Sequence, residues 1–147
     1  MESHHHSGKD KHAKIGHDPH IWMSPRLVKI QAHTIFKTLS AMDPDNGDIY
    51  KKNYRLFIKD LDALDHRLKT AFKDLKSQNL FVFHPSFGYF TDAYNLKQIA
   101  VESMGKAPKG KALSSIIKTA KKQNARVLFA QPQFDRNTAN KIASAIN

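Results

Sequence analysis

Helical spacing sustained over about 30 residues constrains this chain more than any other feature. Asp43-Pro44 is a cap-plus-proline start, and behind it Tyr50, Tyr54, Phe57, Ile58, Leu61, Leu64, Leu68, Phe72 and Leu75 keep to one helical stripe. At 1.5 Å per residue such a helix runs to roughly 45 Å. That is too long for the interior of one small domain, so the helix is expected to bridge two bodies. The element before it starts as sharply, with Ser24 as candidate N-cap and Pro25 at the first helical position, where the missing N–H costs nothing. Val28, Ala32, Ile35, Phe36 and Leu39 then mark the apolar stripe of a helix ending near Met42.

After Asn79 the pattern changes. Leu80-Phe81-Val82-Phe83 is a short continuous apolar run of the kind found in parallel strands covered on both faces, and it ends abruptly at His84-Pro85. Two more runs follow, Gln98 to Glu102 and Val127 to Ala130. A short helix around Phe87 to Tyr94 and an amphipathic one containing Leu113, Ile116, Ile117 and Ala120 separate the three. Strand and helix alternate, which predicts an α/β body with a parallel sheet. A last helix over Asp135 to Asn147 turns Ala139, Ile142, Ala143 and Ile146 inward. One body represented by a single helix and a sheet without a closing strand read together as a fragment of a larger fold.

Composition narrows the chemistry. With no cysteine, disulfides, thiolate metal sites and thiol nucleophiles are excluded, and any metal must be held by nitrogen and oxygen. No stretch approaches the roughly 18 to 20 apolar residues of a membrane span, in line with a mean hydropathy of -0.56. Met1 to His6 carry no apolar signal core, so an exported chain would have to be mature or truncated. The net charge of +11 admits a polyanion partner. The lysines sit mainly at the non-apolar positions of helical segments, however, and no base-reading motif accompanies them, so no nucleic acid is expected.

Five of the nine histidines, His4, His5, His6, His12 and His17, crowd into the first 17 residues. That stretch has too little apolar surface to offset its ordering entropy and is expected to be mobile. Part of an expression tag and a native metal-attracting segment are both readings of it. Two further histidines stand at structurally special places. His84 follows an apolar run directly, where open α/β sheets put their ligands, and Pro85 limits its backbone. His20 sits on a turn just before the Ser24-Pro25 helix start, flanked by Ile21 and Trp22. Taken alone, each is equally a loop residue held by ordinary hydrogen bonds, with Trp22 a core aromatic.

Taken together, the run Asp18-Pro19-His20-Ile21-Trp22-Met23-Ser24-Pro25, the helix carrying Leu61-Asp62-Ala63-Leu64-Asp65, then Phe83-His84-Pro85-Ser86-Phe87-Gly88-Tyr89-Phe90 and Gln131-Pro132-Gln133-Phe134 resemble the zinc-uptake solute-binding proteins of bacterial ABC transporters. These are the ZnuA-like members of the metal-binding cluster that also includes TroA-like proteins. The resemblance runs from about Asp18 to Asn147. It implies two α/β lobes joined by one long helix, with the metal between them: residues 1–17 a His-rich mobile segment, 18–43 a remnant of the N-terminal lobe, 44–78 the connecting helix and 79–147 an incomplete C-terminal lobe. It implies that His20 and His84 are metal ligands, that zinc is the bound and transported ion, and that the partner is an ABC permease in the membrane. It places the protein in the periplasm or attached outside the cytoplasmic membrane, with no reaction catalysed. The family's remaining ligands, a histidine of the N-terminal lobe and an acidic residue near the C-terminus, have no counterpart here, and Lys109-Gly110 replaces a better helix start.

Zinc accepts imidazole nitrogen in a four-coordinate shell and manganese prefers harder oxygen donors, so a histidine at 84 favours zinc over a manganese-binding member of the same family. Glu102 and Gln131, at strand carboxyl ends, either orient a ligand or make loop hydrogen bonds. A zinc hydrolase is disfavoured by the absence of a His-Glu-x-x-His cluster. The helix over 25–42, its stripe of Val28, Ile35, Phe36 and Leu39 uncovered, is expected to make the chain self-associate.

Overall fold

The computed structural model describes residues 17–75, 78–103, 105–134 and 136–146. Most of the His-rich stretch therefore lies outside the described residues. A single 3-10 turn, Ile21–Met23, leads into α1 (Pro25–Met42). Pro25 opens α1 as expected, but the Ser24 side chain makes no capping bond; the Ser24 carbonyl instead accepts the N–H groups of Leu27 and Val28, each at 3.0 Å.

Asp43 closes one helix and secures the next. Its N–H donates to the Leu39 carbonyl at 2.9 Å, and its Oδ2 accepts from the Asn46 amide at 2.8 Å and the Tyr50 hydroxyl at 2.6 Å. A 3-10 turn, Pro44–Asn46, and then α2 (Gly47–Phe72) follow. The connecting helix expected over 44–78 is thus 26 residues of α-helix, about 39 Å long. It is shortened because Pro44 begins a tighter turn and the chain leaves the helix after Phe72.

The two long helices run antiparallel, as three contacts in descending order show: Arg26 with Asp65, Lys29 with Asp62, and Phe36 stacked on Tyr54 with ring centroids 4.9 Å apart. The distal end of α2 leaves this pair and packs on the other half of the chain, Phe72 meeting Phe90 edge to face at 5.7 Å. The Val28 and Phe36 part of the α1 stripe is therefore half-covered by α2, whereas Ile35 and Leu39 remain 59% and 40% exposed.

The second half is α/β. β1 (Asn79–Val82) and β2 (Lys97–Ala100) pair in parallel, with Asn79 opposite Lys97 and Val82 opposite Ala100, and α3 (Gly88–Ala93) makes the crossover. The third run, expected as a strand over Val127 to Ala130, pairs at one residue only: Phe129 bridges to Val82, donating to the Phe81 carbonyl and accepting from the Phe83 N–H. Leu128 packs on the core while Val127 and Phe129 stay about half exposed, so only one face of the run is covered. α4 (Gly110–Lys122) and α5 (Arg136–Ile146) close the core around buried Phe83, Val101, Ala139 and Ile142. Gly110 begins α4 at φ +52, a conformation side chains avoid, which accounts for glycine at an otherwise poor helix start.

Candidate metal centre

Parallel register sets up the first half of the site. Two residues beyond the last paired positions, Val82 and Ala100, stand His84 and Glu102, and the ladder is still held there by Val101 N–H on the Val82 carbonyl and Glu102 N–H on the Phe83 carbonyl. The buried Glu102 carboxylate hydrogen-bonds His84 Nδ1. With the carboxylate accepting, Nδ1 is the donor, and in the neutral ring Nε2 then carries the lone pair. Phe134, at the end of the Gln131-Pro132-Gln133-Phe134 run, stacks on the His84 ring at 4.7 Å and 19°. Glu102 is thus an orienting partner, whereas Gln131 makes a loop bond, its amide nitrogen donating to Ser86 Oγ at 2.8 Å.

Asp18-Pro19-His20 builds the second half. Asp18 Oδ1 accepts the His20 backbone N–H at 3.0 Å, an Asx turn, and also meets His20 Nδ1 at 2.6 Å. His20 is therefore held like His84, with Nδ1 on a carboxylate and Nε2 available. Trp22 stands edge-on to the His20 ring at 5.4 Å; it is 56% exposed, so of the two readings left open the one with Trp22 as a core aromatic does not hold. The two imidazoles face one another in a T-shape, ring centroids 5.3 Å apart. Both side chains are partly open, 19% for His20 and 26% for His84, so an ion can reach them from solvent.

Elsewhere, on α2, Asp65 ties three helices together. It accepts from Arg26 Nε on α1 at 3.1 Å, Lys69 Nζ on α2 at 2.7 Å and the Tyr94 hydroxyl just past α3 at 3.0 Å. Burial pushes its carboxyl up, but the bonds from Lys69, Tyr94 and Arg26 outweigh this and hold it below its ordinary value. Burial, then the bond to Asp65, pushes the Tyr94 hydroxyl up to about 12.

The structure thus brings together His20 and His84, the two residues expected as ligands, sets Glu102, one of the two candidate orienting residues, on His84, and adds Asp18 and Phe134. Asp18 was detectable from its spacing two residues before His20, the usual spacing of an Asx turn. Phe134 and Asp65 stood in the runs that carry the resemblance, but nothing in their spacing pointed to the contacts they make. Among the described residues no group of three or more histidines and carboxylates converges on one point that could hold a metal. Two imidazoles are half of a tetrahedral zinc shell.

The whole chain, residues 1–147, matches the family described as zinc-uptake complex component A periplasmic. It is 30% identical to the high-affinity zinc uptake system protein ZnuA of Bacillus subtilis (strain 168), over 88% of this chain and 41% of that protein. Among solved structures it is similar to a crystal structure of ZnuA, at TM-score 0.83 and 43% identity over 88% of this chain and 51% of that one. It is also similar to a zinc-bound ZnuA deletion mutant lacking residues 138–173 of that protein, at TM-score 0.79 and 43% identity over 88% and 50%. The chain spans about two-fifths of the length of that curated relative and about half of the solved chains.

Proposed function

Since the chain belongs to the zinc-uptake complex component A periplasmic family, we propose that it captures zinc as a solute-binding protein, with His20 and His84 as its ligands, for delivery to an ABC-type permease. The observation that carries this reading is the matched pair of rings, 5.3 Å apart between centroids, each with Nδ1 on a carboxylate and, among the described residues, no partner on Nε2. Backing each imidazole with a carboxylate fixes its tautomer and ring orientation, which is how proteins prepare histidines for a metal. Imidazole donors favour zinc over manganese, and the relative of known structure with zinc bound supports the same ion.

Nothing is chemically transformed in this reading. The carboxylates nearest the ion are spent on Nδ1 atoms, which leaves neither placed as a general base for a zinc-bound water. The family description assigns a periplasmic setting, and among the described residues no helix is long and apolar enough to cross a membrane. The remaining two positions of a tetrahedral shell are filled by water or by donors beyond the described residues. The His-rich segment before His20 serves as a weak accessory zinc binder, supported by its five imidazoles. The α1–α2 groove of about 270 Å³, lined by Ile35, Leu39 and Phe57, supports self-association of the isolated chain. Isothermal titration with zinc tests the proposal: one tight site that requires both histidines is expected, and catalytic turnover of esters by the zinc-loaded chain would contradict it.

A further inference from the structure

His20 and His84 are distant in sequence, and the covalent path between them runs through both long helices. A shorter physical connection exists. Asp18, whose Oδ1 holds the His20 N–H and Nδ1, is itself seated on the first two residues of α3. The Tyr89 hydroxyl donates to the Asp18 backbone carbonyl at 3.1 Å. A Cβ placed on Gly88 would lie only 2.6 Å from Asp18 Oδ2, with no other heavy atom in the way but the Asp18 Cγ at 3.9 Å. Gly88 is not among the glycines with positive φ, so the backbone there would accept alanine. What demands glycine is the carboxylate packed against it.

We propose that Asp18, seated on Gly88 and Tyr89, is a positioning residue that fixes the His20 ring relative to His84. This rests on the reading of His20 and His84 as zinc ligands. The segment from His84 to Tyr89 then carries one ligand and, five residues on, the seat of the turn that carries the other. The ligand separation is set by this local contact and does not depend on how α1 and α2 flex. Asp18 touches both the second ligand and the first ligand's own segment, through its side-chain oxygens and its carbonyl.

The test uses the whole chain. Zinc affinity is measured by chelator competition for Asp18→Ala, Asp18→Asn, Gly88→Ala and the Asp18→Ala/Gly88→Ala double variant. The His20 tautomer is read in the metal-free protein by nitrogen-15 NMR of the ring. Gly88→Ala and Asp18→Ala should each weaken zinc binding about 10- to 100-fold, the usual effect of losing an orienting partner. Both should shift the His20 ring away from its Nδ1-protonated form. The double variant should be no weaker than Asp18→Ala, because the added methyl then meets no carboxylate. Asp18→Asn keeps an oxygen acceptor and should recover most of the affinity. The Asp18 pair leaves α3 untouched and gives the answer even if Gly88→Ala folds poorly. Losses in the double variant that simply add, or an unchanged His20 ring signal in Asp18→Ala, overturn the proposal. If His20→Ala and His84→Ala leave binding intact, the ligand assignment falls with it; if those two weaken binding while the Asp18 and Gly88 variants do not, only the seat is wrong.

Discussion

The His20 and His84 rings meet edge to face, 79° between their planes, although one sits on the turn before the first helix and the other past the end of the first strand. Each ring is pinned from behind by a different carboxylate, Asp18 and Glu102. Two flexible side chains are thereby reduced to two directed lone pairs, so the entropy of ordering them is lost at folding and not at metal capture.

Glu102 should matter for affinity more than for folding chemistry alone. Glu102→Ala removes the acceptor from His84 Nδ1 and is expected to lower zinc affinity about 10- to 100-fold. Glu102→Gln, which retains an acceptor oxygen, should fall between that and the wild type. An Ala variant with unaltered affinity in chelator competition would remove Glu102 from the site.

The Asp65 network should set the acid limb of the stability curve. A carboxyl whose pKa is depressed on folding contributes stability that is complete above its unfolded value of about 3.9 and is lost as the pH falls through the lower folded value. Tyr94 works in the opposite direction: its contribution is complete below an unfolded pKa of about 10 and is lost as the pH rises through about 12. Asp65→Asn should cost about 2 kcal/mol near neutrality, and urea titrations between about pH 2 and pH 5 should show its stability declining less steeply than that of the wild type. A parallel decline in both proteins would mean that Asp65 is not the group responsible.

Much of this arrangement was legible in the sequence, and the exceptions have physical causes. Pro25 and Pro44 marked the helix starts because proline tolerates few other places, and the apolar run before His84 marked a strand whose carboxyl end faces a crevice. The register that brings Glu102 to His84 could not be read, because it depends on how β1 and β2 align. Val127 to Ala130 looked like a third strand by composition, yet among the described residues it pairs only at Phe129, whose N–H meets the Phe81 carbonyl and whose carbonyl meets the Phe83 N–H just past β1. Whether Trp22 was a core aromatic or part of the turn at His20 stayed open in the sequence, since either suits an aromatic beside a helix start; it stands against the His20 ring at the surface.

The groove between α1 and α2 should govern association. Ile35 and Leu39 are 59% and 40% exposed, so replacing them with Lys and Glu should change stability by no more than about 0.5 kcal/mol while lowering the sedimentation-derived association constant. A wild type that stays monomeric at high concentration would exclude the interface.

Removal of residues 1–17 should leave the tightest zinc site intact and abolish only weaker binding, since both proposed ligands and their carboxylate partners lie at Asp18 and beyond. Isothermal titration of the shortened chain gives the answer, and loss of the tight site would transfer the ligand role to the His-rich segment.

The central claim is that one ion is held by two imidazoles that flank the α1–α2 pair in sequence and meet at one end of it. Competition titration of zinc against a chelator, on the wild type, His20→Ala and His84→Ala, tests it most directly. Each substitution is expected to weaken the tightest site by more than about 100-fold, beyond the loss that an orienting carboxylate causes. Wild-type affinity surviving in either variant would contradict the claim.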